Sequence, residues 1–190
     1  MTKVDRQTKE TDIACKLDIN GTGKSNINTG VGFFDHMLEA FSKHSAIDLD
    51  LNCKGDLHID AHHTVEDCGI VIGQALKKEI FPIENVERYG NATVVMDEAA
   101  TTCALDLSNR PFLVFEVNIF GKVGEFDVEL AEEFFHAIAL NSGITCHIIN
   151  DRGTNKHHIL EATFKAFAVA LRRALATNTK LGIPSTKGIL

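Results

Sequence analysis

Apolar and polar residues alternate from Thr11 to Ile19, with Ile13, Cys15, Leu17 and Ile19 on one side. That period of two suits a half-buried strand. Asn20-Gly21 then reads as a hairpin turn, with Ser25 to Thr29 as the returning partner strand. Further along, Ala92 to Met96, Thr102 to Leu107 and Phe112 to Asn118 carry strand patterns, and Pro111 is tolerable where a strand begins. Two segments show the helical period instead. Val65, Cys68, Ile72, Ala75 and Leu76 recur at spacings of three and four, as do Leu160, Phe164, Phe167, Leu171 and Leu175. Each of these helices therefore buries one face.

The same order of elements occurs twice. HSAIDLDLN (His44 to Asn52) and NSGITCHIIN (Asn141 to Asn150) each follow an amphipathic stretch opened by a Phe pair, Phe33-Phe34 and Phe134-Phe135. Each precedes a Gly-containing loop and then HHTVED or HHILEA at the head of a long helix. Two copies do not make a solenoid. They predict a single domain, residues 1–190, of two repeats, about 1–88 and 89–190, packed about a pseudo-twofold axis. The expected class is α+β, with a small sheet and two helices on one of its faces in each half.

Composition narrows the function. The chain has 190 residues, 44% hydrophobic and 24% charged, enough to bury a core without disulfides. No apolar run approaches the roughly 18 residues that span a bilayer. The polar start MTKVDRQTKETD has no signal-peptide core. With a net charge of −7 and no basic cluster interleaved with aromatics, nucleic acid is not an expected partner. An anionic substrate would need a local basic pocket. The five cysteines, with no CxxC, read as small hydrophobes in a reducing, cytoplasmic setting.

The nine histidines are clustered. His62-His63 and His157-His158 are adjacent pairs, and His36 and His136 each precede one. His62 and Glu66 are four apart, as are His157 and Glu161, so each couple shares one helix face. His63 and His158 point roughly 100° away, from about 3.6 residues per turn, and suit a second ion. A cross-repeat arrangement follows: His62, Glu66 and His158 on one ion, and His157, Glu161 and His63 on the other. A single HH pair is most often a solvated surface feature. Two HHxxE motifs in repeat-related positions point to metal. The spacing is neither HExxH nor ExxH. Nitrogen and oxygen donors favour Mn, Fe or Zn over a thiolate-bound metal.

The strings TGVGFFDHML, DAHHTVEDCGIVIGQAL, RYG, NRPF, EEFFHA, HHILEATFKAFAVALRRAL and IPSTKG together resemble the imidazoleglycerol-phosphate dehydratase family, from Arg6 to Gly188. The resemblance implies two four-stranded sheets with the helices sandwiched between them, the ribosomal protein S5 domain 2-like arrangement. It implies two Mn²⁺ per subunit, one on His36, His63, His157 and Glu161, the other on His62, Glu66, His136 and His158. It also implies a homo-oligomer of 24 subunits with metal sites at subunit contacts. His36 and His136 do not superpose in the duplication: aligning Ala46 with Gly143 sets His36 opposite Glu133, one helical turn from His136.

The implied reaction converts imidazole glycerol phosphate to imidazole acetol phosphate and water, in histidine biosynthesis. The proton to be removed is not next to a carbonyl, so the imidazole ring is the electron sink, and the two ions bind it as imidazolate. Glu10 in TKET matches a substrate-contacting position and is the candidate proton carrier; Glu66 and Glu161 are less free because they ligate metal. His36 and His62 would also meet substrate. Arg88, Arg110, Ser185 and Lys187 match phosphate-binding positions, with Lys165 and His44 contributing. Many relatives carry Gln where this chain has Ala40, so one phosphate contact is missing or supplied otherwise. A two-metal phosphoester hydrolase and a non-catalytic metal shell are the competing readings; the phosphate residues argue against the second.

Overall fold

The structure is a computed structural model and describes residues 1–188. The first half runs β1 (Thr2–Gln7), β2 (Thr11–Asp18), β3 (Ser25–Asn28), α1 (Gly32–Ser45), β4 (Asp48–Gly55) and α2 (His62–Ile80). The second runs β5 (Tyr89–Met96), β6 (Ala99–Asp106), β7 (Phe112–Glu116), a small hairpin of β8 (Lys122–Val123) and β9 (Phe126–Asp127), then α3 (Leu130–Ser142), β10 (Thr145–Arg152) and α4 (Lys156–Ala174). The sheets have the orders β1-β2-β4-β3 and β5-β6-β10-β7, the same topology twice. In each, the edge strand before the first helix lies parallel to the strand after it. Register fixes the equivalence: Cys15 opposes Leu51 and Cys103 opposes Ile148. The helices preceding β4 and β10 also end alike, on left-handed C-caps at Ala46 (φ 62°) and Gly143 (φ 77°).

The expected hairpin between β2 and β3 does not form, because β4 lies between them. β4 buries Leu49, Leu51 and Cys53 and pairs with β2 along eight residues, whereas the polar β3, Ser-Asn-Ile-Asn, suits an edge. The turn at Asn20-Gly21 instead opens toward β4, where Asp48 Oδ1 accepts the N–H groups of Thr22 (2.7 Å) and Lys24 (2.8 Å). β1 escaped the pattern because Val4 is its one buried residue. The β8–β9 hairpin was too short to leave a period.

α2 packs on β1 and β2, and α4 on β5 and β6. Each then takes its neighbour from the other half: α4 packs on α1, and α2 on α3. The helices thus form one layer between two sheets, around Phe34, Phe41, Phe134, Phe135, Phe164 and Phe167, all fully buried. All five cysteines are free and buried. At Gly90 β5 runs directly against α4, and a Cβ there would strike the Ala170 carbonyl and come 2.8 Å from the Ala174 nitrogen. Gly90→Ala is expected to cost at least about 1–3 kcal/mol, as overpacking does, seen as a lower denaturation midpoint. Gly32→Ala, with nothing within 4 Å of the added carbon, is the control that leaves the midpoint in place or raises it.

Candidate active site

The start of α4 is set by Asn155, whose side-chain oxygen accepts the N–H groups of His157 (2.9 Å) and His158 (3.5 Å). One turn on, His157 Nε2 stands 3.1 Å from Glu161 Oε2. The packing of α1 on α4 brings His36 Nε2 to 3.5 Å from the same oxygen. Thr29 steadies the start of α1 by donating its N–H (2.9 Å) and hydroxyl (2.5 Å) to Asp35. His36, His157 and Glu161 thus offer three ligand atoms within 4.8 Å of one another, the one such group among the described residues. Ligand bonds of about 2.1 Å meeting at right angles put donor atoms roughly 3.0 Å apart, so these separations fit a divalent ion.

Glu161 is buried at 7% exposure, and its other oxygen meets Lys165 Nζ at 2.6 Å. Burial alone would raise its pKa. Lys165, His157 and His36 outweigh that and hold it below the ordinary value, so the carboxylate stays charged for a cation. On α2, His62 Nε2 and Glu66 Oε2 lie 3.5 Å apart and both side chains are exposed.

The other expected ligands stand elsewhere. His136 lies on the exposed face of α3, beside Pro111, Phe112 and Leu113. His63 Nδ1 lies 3.0 Å from Asp56, and His158 Nδ1 lies 2.8 Å from Glu98. The cross-repeat sets expected from helix geometry therefore do not assemble within one chain. The reason is the interleaving: α4 faces α1 and α2 faces α3, so the two HHxxE helices do not face each other.

A second concavity is basic. Arg88, Tyr89, Ser108, Asn109, Arg110, Ser185, Thr186 and Lys187 line it. Arg88 is largely committed within the fold: it donates to Asp106 through Nε (2.7 Å) and Nη2 (3.1 Å), and through Nη1 to the Pro184 carbonyl (2.7 Å). It therefore anchors the C-terminal loop that presents Ser185 and Lys187. Arg110 is 70% exposed, with Nη2 4.0 Å from Asp106 Oδ2 as its one ion pair among the described residues. His44 and Lys165 do not line this pocket. His44 sits near Lys165 and Arg172, and burial together with those two cations lowers its pKa. Ala40 is buried on α1 and offers no polar group.

Comparison with known proteins now decides the family. The family model described as imidazoleglycerol-phosphate dehydratase matches residues 29–171. The chain belongs to the imidazoleglycerol-phosphate dehydratase family. The proteins of that name from Aliarcobacter butzleri and Sulfurovum sp. are 80% and 66% identical over the full length of both chains. The Staphylococcus aureus dehydratase structure has a TM-score of 0.83 at 41% identity, covering 94% of this chain and all of that one. The Pyrococcus furiosus dehydratase, in complex with (S)-C348, has a TM-score of 0.85 at 37% identity, covering 98% and 100%. Imidazoleglycerol-phosphate dehydratases are hydro-lyases of histidine biosynthesis, and this chain is one of them.

In this dehydratase Glu10 sits at the exposed tip between β1 and β2, with Oε1 3.7 Å from His63 Nε2. The tip is clamped from below. Asp67 is 6% exposed; it accepts from Arg6 Nε (3.0 Å) and Nη2 (3.0 Å) and from the Thr11 hydroxyl (2.5 Å), one partner on each arm of the hairpin. Sequence reasoning missed Asp67, Asp56, Glu98 and Asp106. One signal existed for Asp67: HHTVED carries an acid where HHILEA carries Ala162. The other three are acids in turns or at a strand end, with no period to mark them.

Proposed function

We propose that this dehydratase converts imidazole glycerol phosphate to imidazole acetol phosphate and water with two divalent ions per chain, read from the family resemblance as Mn²⁺, which is one of the metals its nitrogen and oxygen donors accept. The observation that carries the reading is the group of His36, His157 and Glu161, placed by the packing of α1 on α4. One ion belongs there and the second at His62 and Glu66. His63, His136 and His158, which stand apart within the chain, complete the two sites from neighbouring copies. That requires a homo-oligomer, for which 24 subunits is our reading, with each chain a single two-repeat domain working in the cytoplasm. No described helix is long and apolar enough to cross a membrane.

The bound ions would supply Lewis-acid charge that lowers the pKa of the substrate's ring. The protein's groups do the rest. Lys165 keeps Glu161 ionised and oriented. Arg110, Ser185 and Lys187 take the phosphate, and Arg88 holds their loop. Glu10, exposed at a tip that Asp67 clamps, removes the carbon-bound proton. The hydroxyl beside the ring takes up a proton and leaves as water, the proton removed from carbon balancing the one it takes, and the resulting enol becomes the ketone. His36 and His62 flank the ring.

Incubation of the protein with imidazole glycerol phosphate and Mn²⁺ is expected to yield ketone, and removal of metal by a chelator to abolish it. Release of inorganic phosphate would mark a hydrolase instead, and metal binding without turnover a storage shell. Arg110→Ala is expected to raise KM roughly 10- to 150-fold, from about 1.5–3 kcal/mol for a charged hydrogen bond, with metal content unchanged. A normal KM would remove Arg110 from the phosphate site. Glu10→Gln keeps shape but exchanges no proton, so kcat should fall about 10²- to 10⁴-fold while KM and metal content hold. A rise in KM alone would make Glu10 a positioner of substrate.

A further inference from the structure

Each HH pair has one histidine whose Nε2 faces its own glutamate at i+4, and one whose ring is turned by an acid from a different element. In the first half that acid is Asp56, just past β4, with Oδ2 3.0 Å from His63 Nδ1. In the second it is Glu98, in the β5–β6 turn, with Oε2 2.8 Å from His158 Nδ1. These two acids are not repeat counterparts. By sheet register Cys15 and Cys103 hold the same place, which makes Glu98 the counterpart of Glu10, five residues before each cysteine. The two halves therefore reach one arrangement by separate routes.

We infer that Asp56 and Glu98 are positioning residues for a metal centre: each holds its histidine with the proton on Nδ1, so that Nε2 offers a lone pair to an ion. The inference rests on the metal-binding reading above. A carboxylate on the far nitrogen fixes a ligating imidazole's tautomer and ring angle and raises its basicity. Asp56 carries a further mark. Its Oδ1 is buried and has no hydrogen-bond partner, which is costly for an acid serving structure alone. Both Nε2 atoms stand clear of short contacts, with Glu10 3.7 Å from His63 and Asp97 3.8 Å from His158.

Glu98 offers a sharp test, because its two oxygens have separate duties. Oε1 accepts the N–H groups of Thr154 (3.1 Å) and Asn155 (2.8 Å), while Oε2 faces His158. In Glu98→Gln those backbone donors claim the amide oxygen. The amide NH₂ is then left facing His158 Nδ1, which must accept and carry its proton on Nε2 instead. The loop contact survives while the ligand atom is blocked.

Metal-free protein titrated with Mn²⁺ alone by calorimetry reads this out. Glu98→Gln should weaken one of two sites on the order of 10- to 100-fold with the thermal melt of the metal-free protein unchanged. Asp56→Ala should weaken the other class of site to a similar degree. In a His158→Ala background Glu98→Gln should add no further loss. Parent-like affinity at both sites in Glu98→Gln and Asp56→Ala, within about twofold, overturns the inference, as does a full further loss in the His158→Ala background. If Glu98→Gln fails to fold, the Asp56→Ala titration decides alone. A parent protein that binds no Mn²⁺ at all defeats the underlying metal reading, which is a different result.

Discussion

The arrangement that the rest depends on is a histidine and a glutamate four residues apart in the first turns of a helix, facing a helix from the other half. The i,i+4 spacing alone gives two donors on one face. The third comes from packing: α1 meets α4, and His36 arrives beside His157 and Glu161. Everything that positions those helices therefore positions the site, including the shared phenylalanine core, the left-handed caps at Ala46 and Gly143, and the Asn155 cap. A buried carboxylate such as Glu161 is held ionised by Lys165 and its histidines, so the fold keeps a negative group where a cation can use it.

Duplication explains both what is repeated and what is not. The two sheets share strand order and register, and the HHxxE motif heads the last helix of each half. The chemistry has diverged around that frame. Position-equivalent carboxylates at the hairpin tips, Glu10 and Glu98, meet the second histidine of their pairs through different nitrogens, Nε2 at 3.7 Å and Nδ1 at 2.8 Å. Both are exposed, but Glu98 is held by three partners that, His158 first, drive its pKa to about 2. The two tips thus differ in how firmly their carboxylates are held.

Local geometry was legible in the sequence, and tertiary choice was not. The pairs His62–Glu66 and His157–Glu161 follow from helical period, and the structure brings each within 3.5 Å. The long helices and the repeat order were readable for the same reason. The β2–β3 hairpin was misread because a turn motif says where the chain bends, while burial of Leu49 and Leu51 decides which strand lies centrally. His36 could be tied to Glu161 only by the resemblance, since that contact depends on which helix α4 faces. Arg88 and Lys165 illustrate the other limit: their charge was visible, but their engagement with Asp106 and Glu161 is a property of the folded chain.

The central claim is that each HHxxE helix start is the nucleus of one metal site, the α4 start being joined by His36 from the other half. Anomalous diffraction across the manganese absorption edge, from crystals of the full chain grown with Mn²⁺, addresses it most directly. Two peaks per chain are expected, one at bonding distance, about 2.1 Å, from His36, His157 and Glu161, the other from His62 and Glu66. A single peak per chain, or peaks away from both helix starts, would contradict it.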